Sequence, residues 1–255
     1  MGSGSLPVWS VAAVATVGGM ILLRAKSAQV YDLLIVRMTS KWYRAVFERL
    51  QSGDRILDIG IGTAAALVRN PDVVRAKDLK ICGIDYEKAY IDRAKTLIKS
   101  SGLEDNVSVF CRSIYEPGLR SVVLKENENQ PYDAAYFSGS FTLMPEPHEA
   151  LKVAAKMCKP GAPIYITQTY QLKYSPITAV VKPLLKYLTT VDFGHLTYMT
   201  ELDKIVSKAG MTIEENIQIP GSINTSYQSA RLVVVRFDQR ETSTSRPDVK
   251  SRSSL

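Results

Sequence analysis

The sequence of 255 residues predicts an α/β domain with a seven-stranded, mostly parallel sheet, an antiparallel C-terminal strand and one preceding transmembrane helix. Five short apolar runs alternate with segments of helical periodicity, which is the pattern of a parallel sheet covered by helices on both faces. Two further strand-like runs, Met211–Gln218 and Ala230–Phe237, are joined by turn-forming residues, so we expect them to pair as antiparallel neighbours. The transmembrane helix is predicted from the uncharged run Leu6–Leu23.

The overall composition is that of a globular protein, with 45% apolar and 22% charged residues, and it excludes a fibrous repeat or wholesale disorder. The three cysteines, Cys82, Cys111 and Cys158, are too few and too scattered for a disulfide framework or a zinc site. We expect them to pack in the core, in a reducing compartment. The sequence has no cluster of acidic residues that suits a divalent cation, and we predict no metal site.

The run Leu6–Leu23 has the length of a membrane anchor. As a helix it spans ~27 Å, which is enough to cross the apolar core of a bilayer. Arg24 and Lys26 follow it, so the positive-inside rule places the downstream domain in the cytosol, on an endoplasmic reticulum or a mitochondrial membrane. A buried core helix, a cleaved signal peptide and a mitochondrial presequence are the alternatives.

Most of the net charge of +7 lies just after this run. Residues 24–50 carry six basic residues against two acidic ones, a local excess of +4. That position fits contact with anionic lipid headgroups better than a nucleic-acid footprint, and we expect no nucleic-acid partner. The chain is therefore predicted to consist of an anchor with its basic flank (1–26), one domain (27–237) and a disordered tail rich in Ser, Thr and Arg (238–255).

Within the domain, apolar periodicity predicts a first helix over residues 27–51. The five parallel strands are predicted at Arg55–Ile59, Leu79–Ile84, Val107–Cys111, Ala134–Phe137 and Ile164–Thr167. A helix is expected to open at Ala64-Ala65-Ala66, and two more follow the apolar stripes over residues 90–98 and 151–158. Lys125–Gln130 is polar and is predicted to be a loop.

Two glycines, Gly60 and Gly62, stand where the first strand turns toward a helix, and glycine lets a ligand approach the backbone closely. Asp85 ends the second strand, where a carboxylate can accept hydrogen bonds from both hydroxyls of a ribose. Together they predict a site for an adenosine-type cofactor. A nicotinamide dinucleotide would bring its pyrophosphate against the carboxylate of Asp58, whereas that carboxylate attracts the ammonium and sulfonium of S-adenosylmethionine. The charge at Asp58 favours S-adenosylmethionine.

Over about residues 27–237 the chain resembles the class I S-adenosylmethionine-dependent methyltransferases, which have a Rossmann-like fold. The segments that carry the resemblance accompany the five parallel strands in order: ILDIGIGTA, ICGIDYEKAYIDRAK, NVSVFCRSIYE, YDAAYFSGSFTLMPEPHEAL and CKPGAPIYITQ. Two positions depart from the family pattern. Ala64 replaces the third glycine of the first segment, and Ser113 stands where the family often has an aspartate facing the adenine amino group.

The resemblance implies a donor site built from residues at the ends of the first four strands. They are Asp58, Gly60, Gly62, Asp85, Tyr86, Ser113, Ile114 and Ser138. The glycines would lie under the methionine part of the donor, Asp85 would bind the ribose, and Tyr86, Ser113 and Ile114 would border the adenine. Ser138 would lie where donor and acceptor meet. Turn formation, helix capping and core packing are the alternative roles.

Methyl transfer from a sulfonium is an in-line displacement that depends mainly on alignment, and a general base is needed only when the acceptor is protonated. His195 lies in a stretch inserted after the fifth strand and is the candidate catalytic residue, with ordinary loop polarity as the alternative. The same insert contains the apolar segment 176–188, which is predicted to form a lid, a second membrane surface or a helix packed on the sheet edge.

The fourth strand ends in Ser138-Gly139-Ser140-Phe141 and lacks the Asp/Asn-Pro-Pro-aromatic sequence of methyltransferases that act on nucleobase or glutamine amino groups. We therefore expect a membrane-anchored enzyme with a small, apolar acceptor: a lipid, a quinone or isoprenoid, or a thiol. A protein methyltransferase and a non-catalytic, donor-binding scaffold are the alternatives. The sequence predicts no particular oligomeric state.

Overall fold

The structure is a computed structural model, and it describes residues 35–173, 198–222 and 224–237. The predicted anchor Leu6–Leu23, the insert segment 176–188, the candidate base His195 and the tail 238–255 lie outside the described residues. Within the described part of the chain, no helix is long and apolar enough to cross a membrane.

Seven strands form the sheet: β1 (Arg55–Ile59), β2 (Lys80–Asp85), β3 (Val107–Cys111), β4 (Ala134–Ser138), β5 (Ile164–Gln171), β6 (Met211–Gln218) and β7 (Gln228–Phe237). They are arranged in the order β3-β2-β1-β4-β5-β7-β6. The first five strands pair in parallel, and β7 runs antiparallel to both β5 and β6. The predicted sheet with an antiparallel C-terminal strand is confirmed.

Because β1 to β5 are parallel, their last residues meet along one side of the sheet, which we call the carboxyl edge, and their first residues meet along the opposite amino edge. The antiparallel strand β7 begins at the carboxyl edge, since Gln228 pairs with Gln171 at the end of β5. It ends at the amino edge, where Phe237 pairs with Met211, the first residue of β6.

Among the described residues, six α-helices cover the sheet: α1 (35–47), α2 (Pro71–Ala76), α3 (Lys88–Ser100), α4 (Leu119–Glu126), α5 (Pro147–Met157) and α6 (Met199–Lys208). Two apolar clusters show how they divide. Ile56 of β1 packs with α1, α2 and α3 on one face, whereas Leu57 packs with α4, α5 and α6 on the other. This alternation follows from the two-residue period of a strand, and it explains why the central strands β1 and β4 are buried on both faces.

Helix α1 crosses one face of the sheet from the carboxyl edge to the amino edge. At the carboxyl edge, the Trp42 indole donates a hydrogen bond to the Ser222 hydroxyl at 3.1 Å. At the amino edge, the Lys77 ammonium donates to the carbonyls of Phe47 and Leu50 at 2.9 and 2.7 Å. The chain therefore enters the described domain at the carboxyl edge.

Two predictions about local structure are wrong. No helix opens at Ala64-Ala65-Ala66, because Gly62 and Ala64 have positive φ angles of 59° and 56° that a right-handed helix does not allow. A short 3-10 helix, Leu67–Arg69, comes first, and α2 then begins at Pro71, whose missing N–H suits the first helical position.

The predicted loop Lys125–Gln130 also begins too early, because Lys125 and Glu126 form the last turn of α4. The apolar side of α4, with Leu119, Val123 and Leu124, is buried in the core. This packing stabilises the helix as far as its polar last residues, Lys125 and Glu126.

Candidate active site

The turn after β1 is tight against its neighbours on one side and open on the other. The amides of Gly60 and Ile61 donate to the Ile84 carbonyl at 2.8 and 3.1 Å, which fixes the turn against β2. At Gly60, φ is 75°, and a Cβ would lie 2.4 Å from the Cβ of Ser140. At Gly62 a Cβ would meet no atom within 4 Å. The turn therefore requires glycine at Gly60 and offers free space above Gly62.

Ala64 occupies the position of the third glycine in the family pattern and keeps the backbone conformation that glycine favours, with a φ of 56°. Its methyl group is buried, and it packs in the cluster that includes Ile61 and Leu67. A left-handed conformation costs a residue with a Cβ roughly 1–2 kcal/mol. The substitution therefore leaves the path of the turn unchanged while adding local strain.

Asp58 lies within β1 directly below this turn and is buried, with 1% of its surface exposed. Its Oδ2 accepts a hydrogen bond from the Tyr43 hydroxyl at 2.7 Å, whereas its Oδ1 has no hydrogen-bond partner. Burial raises the pKa of the Asp58 carboxyl to about 7; the Tyr43 hydrogen bond lowers this pKa and the nearby charge of Asp85 raises it. Asp58 thus holds one unsatisfied acceptor atom at the site.

Sequence reasoning missed Tyr43, which reaches Asp58 from α1. Its ring packs edge-on against Tyr136 of β4, with 5.1 Å between ring centroids, and burial raises the pKa of its phenol well above the usual value. One signal in the sequence could have found it: Tyr43 stands beside Trp42 in the predicted first helix. A tyrosine that is buried there needs a polar partner for its hydroxyl.

Asp85, at the end of β2, joins two neighbouring segments. Its Oδ2 accepts from the Gly62 amide at 3.0 Å, and its Oδ1 accepts from the Glu87 amide at 2.9 Å. Burial raises the pKa of the Asp85 carboxyl, although both amide hydrogen bonds lower it. Since each carboxylate oxygen can accept a second hydrogen bond, the group has capacity left for a ligand.

The remaining predicted donor-site residues lie around these two carboxylates. Tyr86 follows Asp85 and is 78% exposed. The Ser113 hydroxyl accepts from the Tyr115 amide at 3.2 Å, whereas the Ile114 side chain is buried in the core. Ser138 ends β4, and its buried hydroxyl oxygen has no hydrogen-bond partner. The structure thus places this set at the carboxyl edge, and their roles toward a donor stay predictions.

Comparison with known proteins decides the family. A family model described as a methyltransferase domain matches residues 50–211. The chain belongs to this methyltransferase family. The phosphatidylethanolamine N-methyltransferase of Cereibacter sphaeroides is 23% identical over 182 residues, which cover 70% of this chain and 81% of that protein.

Solved structures share the fold. One is a Geobacter sulfurreducens S-adenosylmethionine-dependent methyltransferase in complex with S-adenosyl-L-homocysteine (15% identity, TM-score 0.53), covering 77% of this chain and 89% of that one. Another is the (4+2)-cyclase SpnF (18% identity, TM-score 0.58), covering 78% and 81%. The predicted class I methyltransferase family, the enzyme class and the donor S-adenosylmethionine are confirmed.

The site of this methyltransferase suits a cationic donor. Asp58 and Asp85 form no ion pair with a lysine or arginine in the described part of the chain. Within the same residues, no group of three or more His, Cys, Asp or Glu side chains could hold a metal ion. The unsatisfied Oδ1 of Asp58 and the free space above Gly62 are the two features that a ligand with an ammonium group and a sulfonium would fill.

Proposed function

We propose that this methyltransferase transfers the methyl group of S-adenosylmethionine to a membrane lipid, with the donor held at the turn between β1 and the 3-10 helix. One observation carries the location: a buried carboxylate oxygen, Asp58 Oδ1, lacks a partner directly below a glycine turn that is open to a ligand. When bound, the donor supplies an electrophilic methyl carbon, and every other requirement falls on the protein.

Asp58 and Asp85 would bind opposite parts of the donor. In this proposal Asp58 receives the ammonium group, because an unsatisfied buried carboxylate gains most from a charged donor of hydrogen bonds. Asp85 receives the ribose hydroxyls with the acceptor capacity that the amides of Gly62 and Glu87 leave. Gly60 and Gly62 let the ligand lie on the backbone, and Tyr86, Ser113 and Ile114 border the adenine.

Alignment is the main task of the protein in this reaction, and holding nucleophile, carbon and sulfur in line can supply ~7–11 kcal/mol of the barrier. Ser138 and Gly139 lie at the end of β4, where the acceptor would approach. A Cβ on Gly139 would stand 3.5 Å from the Trp42 ring, so α1 forms a wall there. An amine acceptor that is protonated would need a base, and His195 is the residue that we propose for it.

A lipid acceptor is favoured by the similarity to a phosphatidylethanolamine N-methyltransferase over 81% of that protein. The proposed anchor Leu6–Leu23 and its basic flank would keep the domain at a membrane surface on the cytosolic side. A quinone, isoprenoid or thiol acceptor also fits the anchor, but the phosphatidylethanolamine N-methyltransferase that resembles this chain favours a lipid amine.

The function can be tested with labelled donor and two kinds of vesicle. Phosphatidylethanolamine offers an amine nitrogen, whereas the nitrogen of phosphatidylcholine is fully substituted and cannot accept a methyl group. We expect label in the lipid fraction only with phosphatidylethanolamine, and none with the Asp85→Ala variant. Asp105→Ala, at the exposed turn before β3, is the matched control and should retain activity. Label that enters only proteins or soluble thiols would refute the lipid acceptor.

A further inference from the structure

Large apolar and tyrosine side chains are exposed mostly on one side of the described domain, the carboxyl edge. They are Tyr86, Tyr90, Tyr115, Leu143, Leu172 and Tyr227. Four of these six are tyrosines, and all follow the carboxyl ends of parallel strands or precede the start of β7. Phe237, at the end of β7, is the comparable exposed side chain at the amino edge.

Hydrogen bonds join neighbouring loops that carry members of this apolar set. The Leu172 amide donates to the Tyr227 carbonyl at 2.8 Å, which holds the loops after β5 and before β7 together. The Tyr115 hydroxyl accepts from the Glu146 amide at 3.1 Å, which joins the loops after β3 and β4. Met144 lies next to the glycine turn, with its Cε 3.6 Å from the Cβ position of Gly60.

Basic residues border the part of this surface that lies beside α1 and β5. Arg37 and Lys41 are exposed at the start of α1, and the Lys41 ammonium donates to the Gly221 carbonyl. Lys173 is exposed and directly follows Leu172. Three acidic residues of the carboxyl edge, Glu87, Glu116 and Glu146, lie farther along it, beside Tyr86 and Tyr115. Glu201 is an exposed acidic residue near the end of β5, where its carboxylate accepts a hydrogen bond from the Tyr198 amide.

The chain segments that join the domain at this edge are apolar by sequence. Helix α1 enters here, and the uncharged run Leu6–Leu23 precedes it. Lys173 and Tyr198 bound the stretch that contains the apolar segment 176–188, and Tyr198 bridges to Gln171 at the end of β5. Both apolar segments are therefore connected to the edge that carries the exposed tyrosines and leucines.

We propose that the carboxyl edge is a membrane-contact surface that lies on a bilayer containing anionic lipid, so that the donor site opens toward that bilayer. Tyrosines with an apolar ring and a polar hydroxyl favour the boundary between headgroups and acyl chains, and nearby lysines and arginines favour anionic headgroups. The side with Leu172, Tyr227 and Lys173 should lie deepest, because basic residues outnumber the acidic residue Glu201 along its border. The inference deepens the proposed lipid acceptor, but its test does not depend on methyl transfer.

The test uses the full chain in vesicles of phosphatidylcholine and phosphatidylserine that contain nitroxide-labelled lipid, a quencher of nearby fluorophores. Three variants, each with one added cysteine, carry a fluorophore at positions of similar exposure: Tyr227→Cys (52%), Leu143→Cys (48%) and Phe237→Cys (44%). Cys111→Ser removes the exposed native thiol. Cys82 and Cys158 are buried, and burial raises their pKa to about 11 and about 12, so they react poorly.

We expect strong quenching of the label at position 227, weaker quenching at 143 and none at 237. Equal quenching at 227 and 237, or no quenching at 227, would overturn the proposal. No quenching at 227 is also the result expected if protein, and not lipid, covers this surface. Thermal unfolding of each variant should match that of the Cys111→Ser parent, which shows that the labelled positions do not disturb the fold. Quenching without methylation of phosphatidylethanolamine would keep the surface and refute the lipid acceptor; methylation without quenching would refute the surface.

Discussion

At the amino edge of the sheet, Asp133 accepts a hydrogen bond from the Arg55 amide at 2.8 Å and pairs with the Lys159 ammonium. At the carboxyl edge, Asp58 and Asp85 are more deeply buried, yet neither pairs with a cation of the described residues. A buried carboxylate without a cation destabilises a fold, so its position calls for another explanation. The difference indicates that the amino edge uses its carboxylate for stability, whereas the carboxyl edge keeps two for a cationic ligand.

The largest effect should come from removing one carboxylate at each edge and comparing donor affinity and stability in the two variants. Asp85→Ala removes the acceptor of the ribose hydrogen bonds, and a net loss equal to one charge-assisted hydrogen bond is roughly 1.5–3 kcal/mol. We expect donor affinity to fall between tenfold and several hundredfold, as measured by calorimetry. Asp133→Ala should leave donor affinity unchanged and lower the free energy of unfolding by about 1–3 kcal/mol, because the Arg55 amide loses its partner. Unchanged affinity in Asp85→Ala would remove Asp85 from the site.

The second effect is a pH dependence of stability that originates at Asp58. Burial raises its pKa to about 7 in the folded state, whereas an unfolded aspartate ionises near its ordinary value of 3.8. Between these values the folded state binds more protons, so ionisation favours unfolding as pH rises. Without donor, this titration should lower the stability of the wild type by roughly 2–3 kcal/mol between pH 5 and pH 8.

Asp58→Asn removes this titration, and Tyr43 can still donate to its amide oxygen. Its stability relative to the wild type should therefore increase from pH 5 to pH 8 in chemical denaturation. Asp105→Asn is the exposed control and should follow the wild type at both pH values. A stability difference between Asp58→Asn and the wild type that stays constant from pH 5 to pH 8 would show that Asp58 does not titrate in this range, and would contradict the prediction.

The smallest effect should come from the hydrogen bond between Tyr43 and Asp58. Tyr43→Phe removes a contact that lowers the pKa of Asp58, so more of this carboxyl is protonated near pH 7 and attracts a cation less. A hydrogen bond of ~0.5–1.5 kcal/mol corresponds to about a two- to tenfold loss of donor affinity near neutral pH. The loss should shrink as the pH rises, because more of the Asp58 carboxyl is then ionised in both proteins.

The matched control for Tyr43→Phe is Tyr132→Phe, which removes a buried hydroxyl that donates to the Val123 carbonyl at 2.7 Å on the other face of the sheet. It should lower stability and leave the pH profile of donor binding unchanged. If the pH profile of donor binding changed equally in both variants, the effect of Tyr43→Phe would be due to a general loss of stability and not to its hydrogen bond with Asp58.

The sheet could be predicted from the sequence because buried parallel strands are continuous apolar runs, and β1, β3 and β6 have the predicted bounds. The positions of Gly60 and Asp85 followed from strand ends, which parallel pairing brings together. The bond from Tyr43 to Asp58 could not be predicted, because it depends on how α1 is rotated over the sheet. The delayed start of α2 depends on a positive φ at Ala64, a conformation that alanine does not signal in a sequence.

The central claim, that Asp58 is reserved for a cationic donor, predicts that donor binding releases a proton. At pH 6.5 most of the Asp58 carboxyl is protonated if its pKa is about 7, and a cation held beside it favours the ionised form. Calorimetry of S-adenosylmethionine binding in two buffers with different ionisation enthalpies measures this release directly. We expect the wild type to release most of one proton and Asp58→Asn to release none. Binding enthalpies that do not depend on the buffer in the wild type would contradict the account.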